Sequence, residues 1–518
     1  MKNYFYIFIL LFTVFYSCRN DFDFESSTGN LAFSKDTVYL DTVFTNIGSS
    51  TYTLKVYNKS NKNISIPKIQ LGNGNNSKYR LMVDGVPGKV FEGVEMLAKD
   101  SMYIFIEVTA DVIDTDPTDF LYTDTILFGE GSQTQEVELV TLIQDAYFIY
   151  PQRTQNPDES FTYETINLGI DNDGNPIEIR GTVLDETDPI NGNELHMTNL
   201  KPYVIYGYAV VPSNKTLIVD AGARVHFHAE SGLIVANNAS LQVNGTLSNT
   251  DDLENEVIFE GDRLEPNFSE IPGQWGTIWL TKGSVNNTIT NLTLKNATVG
   301  FLVTGNDETN IPTLTMNNVQ IYNSSNVGIL ARTGNITGSN IVINNSGQSS
   351  LACTFGGNYD FTHCTFANYW PTPNQTAIVI DDYDGNPIYA LTQANFNNCL
   401  IYSSTNYSIS LKKEGSDSNF NYQFNNCLIK FNDFSNQFSS HPEYQFTGSK
   451  YTNCLIATNS NTNKPDFKNP NDNQLYIGEN SAAKGSADFN FSSGTNDILG
   501  YPRINPTDIG AYNFTIFD

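Results

Sequence analysis

One short unit recurs through the second half of the chain: a polar residue followed by an apolar, any, apolar triplet. Its instances begin at Asn291, Asn318, Asn340, His363, Asn398, Asn426 and Asn453, at intervals of 27, 22, 23, 35, 28 and 27 residues. Self-similarity at roughly 20–50 residues marks a solenoid. A three-residue strand cannot bury a face alone and must stack on its neighbours. Strand residues one and three share a face, so Leu292 and Leu294 point inward together. The leading residue then falls at the bend before each strand. Coils stacked at ~4.8 Å bring successive Asn side chains within reach of one another and of turn backbone. This predicts a ladder of Asn291, Asn318, Asn340, Asn398, Asn426 and Asn453.

The same register puts Cys364, Cys399, Cys427 and Cys454 one residue past the bend in four coils. An inward row of thiols is expected, Cys acting as a small apolar filler. In-register neighbours lie within disulfide range at Cα, but their Cβ vectors run parallel, so reduced packing is expected over disulfides. One side of one sheet cannot surround an ion, and no metal is assigned to the row. The Asn ladder and inward stacks resemble right-handed parallel β-helices of the pectin-lyase type. With the β runs from Tyr203 onward, the solenoid is placed at 201–518. Gly500-Tyr501-Pro502-Arg503 and Asp508-Ile509-Gly510-Ala511-Tyr512 resemble the closing segment of Bacteroidota β-helix proteins. That resemblance implies that they finish the last coil, with Arg503 beside Asp508.

Residues 28–148 read as an antiparallel β-domain. Val38, Leu40, Thr42 and Phe44 share a period-two face, and further runs at Leu54–Tyr57, Met102–Val108, Thr125–Phe128 and Val137–Ile143 are separated by turns. The order of these strands, with Gly48-Ser49-Ser50 as a turn, resembles bacterial Ig-like sandwiches. Residues 149–200 are a Pro-, Asp-, Asn- and Gly-rich connector. Asp171-Asn172-Asp173-Gly174-Asn175 lacks the twelfth-position Glu of a calcium loop, Thr182 standing there, and reads as a turn. Asp381-Asp382-Tyr383-Asp384-Gly385-Asn386 reads as a loop for the same reason. The expected class is therefore all-β: an Ig-like sandwich followed by a right-handed parallel β-helix.

The N-terminus gives an address. Lys2 precedes an apolar run of 13 residues, Tyr4 to Tyr16, too short for a ~20-residue span but suited to a signal peptide. Ser17-Cys18 closes it and resembles the lipobox of bacterial lipoproteins, which implies cleavage after residue 17 and acylation of Cys18. Asp21, Asp23 and Glu25, within residues 18–27, resemble the acidic tether of Bacteroidota surface lipoproteins. Together with Leu54-Lys55-Val56-Tyr57-Asn58 and Pro272-Gly273-Gln274-Trp275, the chain resembles a group of Bacteroidota envelope lipoproteins. This implies an outer-membrane lipoprotein, displayed at the cell surface or facing the periplasm.

Composition narrows the partners. With 28 basic and 56 acidic residues the net charge is −28, a poor match for a phosphate backbone, and no nucleic-acid partner is expected. The polygalacturonase set of carboxylates, Gly-His-Gly and Arg-Ile-Lys is absent apart from Asp381-Asp382, and Lys412-Lys413-Glu414 reads as a solvated loop. No catalytic residue and no cofactor is assigned. Arg224, His226, His228 and Glu230 alternate on one strand; two His at this spacing suit zinc, but no third ligand is in view. Trp275 and Trp279, four apart, are expected to face outward ~13 Å apart, as a glycan platform or a surface buried against protein. Thr37, Thr42, Ser101 and Thr125 each follow Asp and precede an apolar residue, resembling the Bacteroidota O-glycosylation pattern. The expected function is a non-catalytic, lipid-anchored envelope protein binding a glycan or an outer-membrane protein. The alternatives are a carbohydrate-active β-helix enzyme and an accessory scaffold of an outer-membrane complex.

Overall fold

A computed structural model describes residues 23–45, 47–109, 119–170, 173–250, 252–305, 311–383, 388–459 and 461–517. The leader and Cys18, Asp171-Asn172 and Asp384–Asn386 lie outside the described residues. The protein is all-β, with short 3-10 turns and no α-helix among the described residues. It divides into two compact units, Met1–Asp145 and Ala146–Asp518.

The first unit is a two-sheet sandwich. One sheet orders Glu25–Ser26, Ile64–Leu71, Asp119–Phe128, Gln135–Gln144 and Thr37–Phe44, with Val90–Met96 on Ile64–Leu71. The other orders Ala32–Phe33, Tyr52–Tyr57, Ser101–Val108, Tyr79–Val83 and Val86–Gly88. Alternating residues of both sheets (Leu54 and Val56, Ile104 and Ile106, Val137 and Leu139) fill one core. Two expectations are corrected. The sheet is mixed, because Thr37–Phe44 runs parallel to Gln135–Gln144. A register shift opposite Thr141 and Ile143 breaks the period-two face, so Val43 is buried and Thr42 is not.

The second unit is a parallel solenoid. Leu294, Ile321, Ile343, Phe366, Ile401, Ile429 and Ile456 follow one another in register, one per coil. A second sheet stacks Leu233, Ile278, Phe301, Ile329, Leu351, Ile378 and Ile409. A third inward row becomes aromatic: Phe361, Phe396, Phe424 and Tyr451 have successive ring centroids 5.5, 4.9 and 5.3 Å apart. The coils begin inside 149–200, since Tyr147–Ile149 pairs with Tyr203–Ile205 and His196–Met197 with Thr216–Asp220. An antiparallel hairpin, Thr165–Ile170 with Pro176–Val183, covers one edge of the second sheet. At the other edge the Tyr444 hydroxyl accepts from Leu411 N (2.8 Å) and donates to Leu411 O (3.3 Å), occupying groups a further strand would use.

The repeat has a backbone cause. Asn291, Asn318, Asn340, His363, Asn398, Asn426 and Asn453 all have φ between +47° and +55°. Asn is among the few L residues that enter this left-handed region readily, so it marks each corner between two strands of a coil.

The C-terminal segment corrects the expected end cap. Residues 461–517 do not finish the last coil; they run back along the solenoid's flank. Ile498, Ile509, Ala511 and Tyr512 cover Val342 and Leu400, the outward middle residues of their triplets, and Ala367, just past the triplet between them. Gly510 N donates to Asn398 O (2.8 Å) and Ala511 N to Thr365 Oγ1 (3.0 Å). At Gly510, φ is +99° and an added Cβ would meet Thr365 Oγ1 at 2.9 Å, so glycine is required there.

Candidate functional site

The widest cavity described is a groove of about 1500 Å³ over the outer face of the second solenoid sheet. Its floor follows from strand parity. In Val327–Arg332, Ser349–Thr354, Thr376–Asp381 and Ile409–Lys412 the inward residues fill the core, leaving Leu330, Ala352, Val379 and Ser410 as an outward row in register. Its walls are loops inserted into longer coils. Tyr369–Gln375 rises ahead of Thr376–Asp381, and Phe438, His441 and Tyr444 line the groove at its Ile409–Lys412 end.

The first wall is anchored from below. Asn368 Nδ2 donates to Ser346 O (2.8 Å) and Thr376 O (2.9 Å), and its Oδ1 accepts from Trp370 N (3.2 Å). Trp370 is half-buried and also borders a neighbouring cavity of about 640 Å³. Gln375 Nε2 donates to Ser404 Oγ (2.7 Å). Gln375 Oε1 and Asn326 Oδ1, in two lining residues, are buried without a donor. On the second wall Tyr407 packs 5.0 Å from Phe438, and its hydroxyl accepts from Gln437 Nε2 (3.0 Å). Arg332, its guanidinium 5.8 Å from the Phe355 ring centroid, and Lys412 complete the lining, which contains no Asp or Glu among the described residues. Flat aromatic faces, amides and hydroxyls are groups that can complement the apolar faces and hydroxyl edges of a sugar.

The residues singled out from sequence are placed elsewhere. Trp275 does not face outward: it is 1% exposed, stacks on Phe227 at 4.3 Å and donates its Nε1–H to Lys295 O (2.9 Å). Trp279 does face out, half-buried beside Ile234 and bonded to Thr304 Oγ1 (2.6 Å). The pair is not a platform, because the strand spans only Ile278–Leu280 and Trp275 lies before it, beyond irregular Gly276-Thr277, so period-two parity does not carry from one Trp to the other. Trp370 went unnoticed in the sequence; its signal was the 35-residue interval between His363 and Asn398.

The ladder is real over part of its length. Asn318 Nδ2 donates to Asn291 Oδ1 (3.1 Å) and Asn340 Nδ2 to Asn318 Oδ1 (2.9 Å). His363 follows, its Nε2 2.7 Å from Ser492 Oγ and 3.1 Å from Asn398 Nδ2. Asn398 bonds the Asp488 backbone in both directions, at 2.9 and 2.8 Å. Asn426 and Asn453 make no side-chain hydrogen bond among the described residues, so the ladder does not reach them as expected; they keep only the left-handed corner. Cys364, Cys399 and Cys427 are buried, Cys454 is half-buried, and all four thiols are free. Burial pushes the Cys364 and Cys427 thiols well up.

Arg503 does not pair directly with Asp508. It is 4% exposed, and its Nη2 donates to Asn340 Oδ1 (2.9 Å), Gly510 O and Ala511 O, while Asp508 accepts from Gly485 N and Phe514 N. Desolvation lowers the Arg503 pKa to about 10. His226 points outward by strand parity but is covered, 3.7 Å from Glu260; His228 bonds Asp262 (2.7 Å) and stacks on Tyr206; Arg224 caps backbone carbonyls. No cluster of three His, Cys, Asp or Glu placed for a metal occurs among the described residues. Asp382 is fully buried, accepting from Glu414 N and Gly415 N, and Lys413 pairs with Asp417 and Glu443. Thr37, Thr42, Ser101 and Thr125 are half-buried within strands of the sandwich.

No known protein family matches the chain, and no curated protein does. Solved structures resemble fragments of it. The VesB protease of Vibrio cholerae matches at 9% identity over 22% of this chain and 31% of that one, with a TM-score of 0.16. A PapD-like domain of human CEP192 matches at 11% identity over 24% and 91%, with a TM-score of 0.15. A family 123 glycoside hydrolase from Clostridium perfringens matches at 10% identity over 25% and 29%, with a TM-score of 0.16. The chain thus spans under a third of that protease and that hydrolase, and likenesses at these scores carry no argument.

Proposed function

We propose that the protein is a lipid-anchored envelope protein that binds a glycan, without cleaving it, in the groove walled by Trp370. The observation that carries this is the lining itself: a row of small and apolar floor residues between aromatic walls, edged by amides and hydroxyls. Sugar rings present flat apolar faces and hydroxyl edges, which such a lining complements. A glycan array probed with the wild type and Trp370→Ala, with product analysis on each hit, is the test. Hits lost in the variant and recovered uncleaved support the reading; cleaved products, or hits indifferent to Trp370, reject it.

A second reading, a partner-binding scaffold, rests on the first unit. Met82, Tyr103 and Phe105 are exposed on the outer face of its five-stranded sheet, where Met82 and Phe105 line a hollow of about 540 Å³. Pulldown from detergent-solubilised envelopes with the wild type and Phe105→Ser tests it.

A further inference from the structure

The net charge of −28 makes the groove's charge unusual within this molecule. Its charged lining residues are Arg332 and Lys412, with His441 on the wall, and no described carboxylate joins them. Neither cation has a contact as short as an ion pair among the described residues: Arg332 approaches the Phe355 ring at 5.8 Å, and Lys412 acts by charge alone on Asp381, its neighbour in register. Many other cations do have a carboxylate partner, as in Lys62–Glu25, Lys215–Glu186, Arg263–Glu265 and Lys295–Glu260. The carboxylate nearest in register is Asp381, opposite Lys412; its Oδ1 accepts from Phe355 N (2.8 Å), and it is not among the lining residues. Arg332 and Lys412 sit at the same end of the first and fourth strands of the floor, three spacings or ~14 Å apart along the solenoid axis.

We infer that the groove is selective for an acidic glycan, one carrying carboxylate or sulfate groups along its length, with Arg332 and Lys412 receiving two anionic groups while Trp370 and Tyr407 take the sugar faces. Two cations outside any ion pair among the described residues, in an otherwise strongly acidic molecule, attract such a ligand at close range, and repulsion from the surrounding carboxylates, Asp381 first, restricts where it can lie. An acidic sugar held by a charge-assisted hydrogen bond gains affinity that a neutral one does not. This inference rests on the glycan-binding reading.

The test is calorimetric titration of the full chain with matched oligosaccharides. One pair is a uronic-acid oligomer and the same oligomer with its carboxyls reduced to alcohols; the other is a sulfated oligomer and its desulfated form. Binding of an acidic member at least about tenfold tighter than its neutral counterpart is expected, and the preferred pair identifies the anionic group. The preference should shrink as salt is raised and disappear in Arg332→Gln/Lys412→Gln, while Trp370→Ala weakens both members of a pair. The salt titration uses wild-type protein and stands even if the double variant misfolds. Equal affinity for acidic and neutral members overturns the charge inference and leaves the glycan groove intact. Failure of the wild type to bind any member overturns both.

Discussion

At His363 the repeat departs from Asn, and the substitution has a measurable cost. His363 occupies the same left-handed corner, 2% exposed, with Ser492 and Asn398 at Nε2 and Gly510 O at Nδ1. Burial, and then the Arg503 charge, lower its pKa to about 3. That lies below the unfolded value of ~6.5, so the unfolded chain takes the proton first. The neutral-His contribution is fully present above pH ~6.5 and is lost as pH falls toward 3, at up to ~1.4 kcal/mol per pH unit. His363→Asn restores the residue of the other corners and should flatten this part of the urea-midpoint profile; an unchanged acid slope contradicts the assignment. The ladder makes a second prediction. Asn318→Ala removes the donor to Asn291 Oδ1 and one of the two acceptors of Asn340 Nδ2, and should cost ~2–4 kcal/mol, combining a lost buried hydrogen bond with left-handed strain. Asn426→Ala should cost only the strain, ~1–2 kcal/mol, and Asn426→Gly very little. Denaturation midpoints of the three variants decide it, and equal losses at 318 and 426 refute the partial ladder.

Among the elements, those with local causes were legible and those with distant partners were not. The corner Asn needs only its own backbone, and the inward Leu292 and Leu294 need only strand parity, so both showed in the spacing. The Cys row follows from the same register. Reagents should label Cys454 first and Cys364, Cys399 and Cys427 only on unfolding; mass shifts of disulfides in native protein reject this. Trp275 defied parity because it lies outside the strand, which begins only at Ile278 after irregular Gly276-Thr277, a break no period reveals. The flank segment was misplaced because its partners are remote: Arg503 meets Asn340 across 163 residues and Ala511 meets Thr365 across 146. A clue was present in Cys399-Leu400-Ile401 and Cys427-Leu428-Ile429, whose middle residue is apolar and outward and so requires a cover. The groove was hidden because its floor and walls come from four strands and two loops of successive coils, spread over residues 327–444.

For the whole molecule the account joins an anchor to a binding solenoid. The apolar leader ending at Ser17-Cys18 predicts that fatty-acid label enters the wild type and not Cys18→Ser; label in the variant removes the anchor. The sandwich and the solenoid each carry their own core, so the proposed glycan binding should persist in Cys18→Ser. The three tryptophans provide the most direct measurement of the central claim, because Trp275 is buried in the core, Trp279 is bonded to Thr304, and Trp370 stands at the groove. Intrinsic fluorescence should be titrated with a glycan that the array identifies, on the wild type and on Trp370→Phe. The account predicts a saturable change in the wild type that is absent from Trp370→Phe. A change of the same size in Trp370→Phe, or none in the wild type at saturating glycan, contradicts it.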